Sequence, residues 1–171
     1  MSNWNNILIS SGSLSDLTDS NGNASLVDAT SVVNSAMTHF GNAAVNNTAY
    51  KSGIYAGGNT TLNSAVTFNE VNSFASTYDL VVFVGFNASA TSGEVTIGGT
   101  TKSWTGTSAV GGDSIVFSGL TADTFSVVFS NTSSGTAVLG GVQIVSVVPE
   151  PGIYALLAGL LALTAVMVRR R

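Results

Sequence analysis

Short apolar or alternating runs, cut at intervals by Gly, Asn, Ser and Thr clusters, predict a mainly β chain: an antiparallel β-sandwich followed by one apolar C-terminal helix. Three observations carry that expectation. Charged residues make up only 8% of the 171 residues, against roughly 25% in ordinary soluble proteins, so hydroxyls and amides must cover the surface. The chain is nevertheless 44% hydrophobic with recurrent Val, Ile and Phe, a composition that packs rather than one that stays disordered. The last apolar run is longer than a strand and carries no charge until three terminal arginines.

The expected strands, in chain order, are Asn6 to Ser10, Ser25 to Ala29, Ala65 to Val71, Tyr78 to Phe86, Gly93 to Gly98, Ser114 to Ser118, Thr124 to Ser130 and Ala137 to Val148. Tyr78 to Phe86 reads YDLVVFVGF, almost continuously apolar, and is expected as a central strand buried on both faces. Phe125, Val127 and Phe129 alternate with Ser126, Val128 and Ser130, which gives that strand a core face and a wetter one. Between Ser31 and Gly58, Val32, Val33, Ala36, Met37 and Phe40 have a spacing that allows a short helix, which Gly41, Asn46 and Asn47 interrupt. Gly98-Gly99 and Gly111-Gly112 mark turns. At this length the chain supports one domain, residues 1–148, and a tail, residues 149–171.

Charge and composition exclude several function classes. Before Val148 the chain holds eight carboxylates and only two cations, Lys51 and Lys102, a net of −6, so nucleic acid has no electrostatic footprint to bind. Cysteine is absent, which removes disulfides, thiolate metal sites and cysteine nucleophiles together. His39 stands alone, without an HExxH-type neighbour, and no Gly-x-Ser-x-Gly elbow offers a serine nucleophile. Neither a metal nor a cofactor is expected, and an enzyme is not the leading reading. Hydrolytic chemistry would need two carboxylates, such as Asp79 and Glu94, about 5–9 Å apart in an open cleft. Asp16, Asp19, Asn21 and Asn23 alternate oxygen ligands around Gly22 as a calcium loop would, but the closing glutamate is missing, and an Asx-rich turn is the simpler expectation. Trp4, Trp104, Tyr50 and Tyr55 are the aromatics that could stack on a sugar if exposed, with Trp104 the foremost candidate for ligand contact; the ordinary alternative is packing.

The tail is the most specific part of the sequence. Residues 153–168 read IYALLAGLLALTAVMV, without a charge and without a polar face. At about 1.5 Å per residue this helix reaches about 24 Å, somewhat short of the roughly 30 Å hydrocarbon core, so it spans with local thinning or with its flanks. Arg169, Arg170 and Arg171 fix the orientation, with the C-terminus in the cytoplasm and the acidic body outside. Ahead of it stand Pro149, Glu150 and Pro151, where two prolines hold the backbone extended around one carboxylate, as a protease-like cleft requires.

Pro-Glu-Pro, an apolar helix and a terminal arginine cluster, in that order, closely resemble the PEP-CTERM sorting signal of exopolysaccharide-producing Gram-negative bacteria. The resemblance covers residues 149–171 and implies a partner, the membrane-embedded exosortase, which recognises Pro149, Glu150 and Pro151, removes the tail and passes the body to the surface. It implies an inner-membrane intermediate, then a cell-surface or extracellular protein associated with exopolysaccharide or biofilm. Members of that family enter export through an N-terminal signal peptide, whereas Met1 to Asn6 has neither a basic region nor an apolar stretch; the alternatives are a start placed too late, a leader left out of this sequence, or a protein that stays in the cytoplasm, which would leave the tail without a purpose. In the body, NWNN, SLVDAT, YDLVVFVGF and GGVQIVSV leading into VPEP loosely resemble the β-sandwich ectodomains that precede such tails. That resemblance implies a jelly-roll-like topology, shared with carbohydrate-binding modules. The leading expectation is a non-enzymatic exported surface or matrix protein, and the alternative is a surface carbohydrate-binding module.

Overall fold

The computed structural model describes residues 11–32, 35–37, 53–56, 64–86, 92–105, 111–132, 137–147, 157, 159–163 and 168–169. Among these described residues eleven strands follow one another: β1 (Ser11–Leu14), β2 (Asp28–Val32), β3 (Ser35–Met37), β4 (Gly53–Ala56), β5 (Ser64–Asn69), β6 (Tyr78–Phe86), β7 (Ser92–Ile97), β8 (Thr100–Thr105), β9 (Gly111–Leu120), β10 (Phe125–Asn131) and β11 (Ala137–Ser146). A 3-10 turn at Val71–Ser73 lies between β5 and β6. The strands form a six-stranded sheet in the order β1-β2-β5-β10-β7-β8 and a five-stranded sheet in the order β3-β4-β11-β6-β9. Every pairing is antiparallel.

One core joins the two sheets, an arrangement consistent with a β-sandwich. Ala29, Val66, Phe68, Val95, Ile97, Trp104, Phe125, Val127 and Phe129 enter it from the six-stranded sheet, and Tyr78, Leu80, Val82, Val84, Ile115, Phe117 and Leu139 from the other. Strand periodicity explains the membership: β10 alternates buried and half-buried residues along its whole length, with Phe125, Val127 and Phe129 inward. Phe125 is the hub of an aromatic cluster, stacked on Phe68 at 5.2 Å and on Tyr78 at 5.6 Å between ring centroids.

Two expectations need correction. β6 is interior to its sheet and buries Tyr78, Leu80, Val82, Val84 and Gly85, but Asp79, Val81 and Phe83 on its other face are only half-buried. An antiparallel sheet in a two-layer fold has one core face and one face turned away from it. The helical spacing after Ser31 does not make a helix at Ala36 and Met37, which lie in β3 and pair with β4. β4 in turn pairs with β11, so long-range pairing overrides the local pattern. Val33, His39 and Phe40 lie outside the described residues, as does the run Asn6 to Ser10.

Strand directions divide the connections between two ends. The connections 15–27, 70–77, 98–99 and 121–124 lie at the end where β11 finishes, because β2, β6, β8 and β10 begin there while β5, β7 and β9 finish. Beyond β11, residues 157, 159–163 and 168–169 are helical and exposed. Among the described residues, no helix is long and apolar enough to cross a membrane.

Candidate functional site

The chain leaves the sandwich at a defined point. Ser146 pairs with Tyr78 in the last register position of β11, and the Val147 amide donates to the Thr77 carbonyl at 3.0 Å. Pro149, Glu150 and Pro151 follow two to four residues later and lie outside the described residues, as do Arg170 and Arg171. Arg169 is helical and exposed. Of the apolar residues between them, Leu157 is 54% exposed, Leu160 62%, Leu161 70%, Leu163 63% and Val168 75%. These described leucines are not part of the buried core.

The end of the sandwich beside this exit is built on carboxylates that accept backbone N–H groups. Asp79 Oδ1 accepts from the Gly119 amide at 2.9 Å, closing the irregular end of β9 where Gly119 has a φ of 70°. Asp123 Oδ1 accepts from the Asn72 amide at 2.9 Å and so ties the β9–β10 connection to the 3-10 turn. Asp28 Oδ1 accepts from the Asp16 amide at 3.0 Å. Tyr78, wholly buried, reaches the same end and donates its hydroxyl to the Ala122 carbonyl at 2.6 Å. Burial pushes its phenol above the usual tyrosine range, and the charge of Asp123 adds to the shift. The sequence had a weak signal for these caps, since Asp beside Thr, Ser and Gly is turn chemistry, but their partners are 12 to 51 residues away and had none.

The loop considered for calcium is an Asx turn. Asp19 Oδ1 accepts from the amides of Asn21 at 2.8 Å and Asn23 at 2.9 Å, and Oδ2 accepts from Asn23 Nδ2 at 3.1 Å. These bonds, that to the Asn23 amide foremost, hold the Asp19 carboxyl below its ordinary value of 3.8. Both oxygens are thus turned onto the loop's own donors. Among the described residues, no group of three or more His, Asp or Glu side chains is placed to hold a metal ion.

Trp104 is 3% exposed and belongs to the core, stacked on Phe129 at 5.8 Å with 12° between the ring planes. It offers no face to a sugar, so the ligand contact considered for it gives way to the packing alternative. Trp4 and Tyr50 lie outside the described residues, and Tyr55 sits on β4. Asp79 and Glu94 are not brought together: each lies beside core residues on the outward face of its strand, one on β6 and one on β7, in different sheets. No family model, curated protein or solved structure matches the chain.

Proposed function

We propose that this protein is an exported, non-enzymatic surface or extracellular-matrix protein, whose C-terminal residues 149–171 direct an exosortase to remove them and release the domain to the cell surface. The observation that carries the reading is the separation of domain from tail. Among the described residues, the core takes nothing beyond Leu139 and the partly buried Val142 and Ile144, while Leu157, Leu160, Leu161 and Leu163 are exposed on helical backbone. A C-terminal helix of a soluble domain would bury such residues; one destined for a bilayer would not. The tail then crosses the inner membrane with Arg169, Arg170 and Arg171 in the cytoplasm, and Pro149, Glu150 and Pro151 sit at the outer boundary.

The domain itself reads as a jelly roll. β4-β11-β6-β9 and β5-β10-β7-β8, with consecutive strands alternating between sheets except at the β7–β8 hairpin, is the strand order of that topology. This shape suits a passive ectodomain within exopolysaccharide, and with Trp104 buried the carbohydrate-binding alternative loses its foremost aromatic candidate.

Intact mass tests the reading. The protein is recovered from the surface of a native-type host with and without the sorting enzyme. Loss of the tail near Pro149 only when the enzyme is present is the expected result. Recovery through Arg171 in both strains would reduce the tail to a plain anchor and overturn the sorting role.

A further inference from the structure

The outward face of the six-stranded sheet is ordered in rows. Register sets Ser13, Thr30, Thr67 and Ser126 side by side across β1, β2, β5 and β10. Two residues along each strand, Val32, Ala65 and Val128 follow one another across β2, β5 and β10, and Thr96 and Thr101 continue that row onto β7 and β8. Ser130, Glu94 and Ser103 make a third row across β10, β7 and β8. All of these residues are exposed or half-buried, because the ones alternating with them face the core. A row of apolar side chains and threonine methyls thus lies between two rows rich in hydroxyls. With strands about 4.8 Å apart, the middle row runs about 19 Å from β2 to β8. A merely solvated face has no use for that row, yet Val32 stands 68% exposed at its β2 end in a chain rich in Ser and Thr. Two further observations concern the polar groups. Thr67 Oγ1 and Ser126 Oγ lie 2.8 Å apart, as do Thr96 Oγ1 and Thr101 Oγ1, so each pair holds one shared hydrogen bond and keeps one proton to donate outward. Among the described residues, the carboxylates on this face are Asp28 and Glu94, and the cation of β8, Lys102, is turned instead to Val116 of the other sheet.

We infer that this face is a platform for an extended, neutral polysaccharide chain lying across the strands. The inference rests on the matrix reading proposed above and names the surface through which the domain meets that matrix. A pyranose ring is amphipathic in the same pattern, with C–H groups on its faces and hydroxyls around its rim. Rings laid along the middle row remove Val32, Ala65, Val128 and the threonine methyls from water. The hydroxyls on either side then meet those of the sugar, each able both to donate and to accept. Because the Thr67–Ser126 and Thr96–Thr101 pairs already hold their rotors, less ordering is needed on binding. Each exchanged hydrogen bond gains little, so affinity accrues over several sugar units. The same chemistry discriminates. A polyanion meets Asp28 and Glu94 with no cation beside them on this face among the described residues, and a wholly apolar partner would cover the hydroxyls without satisfying them.

Amide spectra of the full-length protein, held in zwitterionic micelles without a sugar headgroup, test this. The probes are cellohexaose and mannohexaose, both linear and neutral, and an alginate oligomer of the same length as the anionic counterpart. Saturable shifts confined to β2, β5, β10, β7 and β8 are expected with a neutral probe, and none with alginate. Thr67→Val with Thr96→Val keeps the shape of the face, removes one hydroxyl from each pair, and weakens binding roughly tenfold. Val128→Ser breaks the apolar row at a half-buried position and weakens it several-fold, while Gln143→Ala, on the outward face of the other sheet, leaves it unchanged. Each variant is compared only where its spectrum keeps the parent's dispersion. No shift with either neutral probe at millimolar concentration, or equal affinity for alginate, would overturn the platform. Shifts of the same rows that grow with protein concentration in the absence of sugar would assign the face to a second copy and also overturn it. Sugar binding that survives both face variants would overturn this face while leaving the matrix reading intact. Removal of the tail is read separately by intact mass, so the sorting reading and the platform fail independently.

Discussion

Lys102 and Val116 lie on different sheets, yet Lys102 Nζ donates to the Val116 carbonyl at 2.6 Å while sitting 5.1 Å from the centre of the Phe117 ring. Their strands, β8 and β9, are the edges on the same side of the two sheets. An open edge displays unpaired carbonyls and amides that another chain can adopt as a template, and a lysine laid across it blocks that approach. The cation also gains from the ring face beneath it. This side chain thus bridges the two edge strands near Val116.

Lys102→Met keeps most of the stem and removes the donor and the charge. Expected are a stability loss of about 1 kcal/mol in urea unfolding and self-association that rises with concentration beyond the parent's in sedimentation velocity. Sedimentation identical to the parent's would show that β9 is protected by something else.

Gly93 is required by the fold of its neighbours rather than by its own backbone. A Cβ at Gly93 would overlap the Ser130 carbonyl and the ring of Trp104, its register partner on β8. The ring lies across the bare glycine to reach Phe129. Gly93→Ala therefore forces the β7–β10 pairing apart or displaces the indole, at an expected cost of about 1–3 kcal/mol. Because the closer obstacle is backbone, adding Trp104→Phe does not restore the loss. Differential scanning calorimetry of the single and double variants distinguishes the cases, and a double variant as stable as Trp104→Phe alone would contradict the backbone clash.

The strands that could be read in the sequence were those with their own inward pattern. Tyr78 to Phe86 coincides with β6, and Phe125, Val127 and Phe129 define β10, because each run carries enough apolar residues to mark its buried face. β8 was missed for the converse reason: in TTKSWT only Trp104 is buried, so it has no alternation to detect, and its place comes from pairing with β7. β3 and β4 likewise owe their state to partners far along the chain. Trp104 shows the same limit at the level of a site. An aromatic in a polar run looks accessible, and only the edge position of β8 over Gly93 turns it inward.

The Asx turn at Asp19 makes an acid-side prediction. The folded loop holds this carboxyl below 3.8, so the ionised form is the one the fold favours. Its contribution is present above the unfolded value and is lost as pH falls through the lower, folded one. A carbon-detected titration of Asp19 should show a midpoint below 3.8, and Asp19→Asn, which cannot accept at Oδ2 from Asn23 Nδ2, should loosen the amides of Asn21 and Asn23. Millimolar calcium at neutral pH should leave these resonances in place. A calcium-dependent shift confined to residues 16–23 would instead establish the ion site.

Tyr78 makes an alkaline-side prediction. Its hydroxyl donates to the Ala122 carbonyl across the end of the sandwich while its ring packs on Phe125. Removing only the oxygen, Tyr78→Phe, keeps the packing and strands the acceptor, with an expected loss of about 1–2 kcal/mol near neutrality. The pH dependence follows from the sign of the shift. The folded value lies above the ordinary 10.0, because burial and the neighbouring Asp123 both disfavour the phenolate. The fold therefore favours the protonated form, its contribution is complete below pH 10.0, and it drains away as pH rises through the folded value. Urea unfolding measured from pH 7 upward should give a constant gap between parent and Tyr78→Phe until about pH 10, then a narrowing gap as the parent loses stability faster. A gap that widens above pH 10 would mean that the phenolate is the form the fold prefers, and that the hydroxyl is not held as a donor to Ala122.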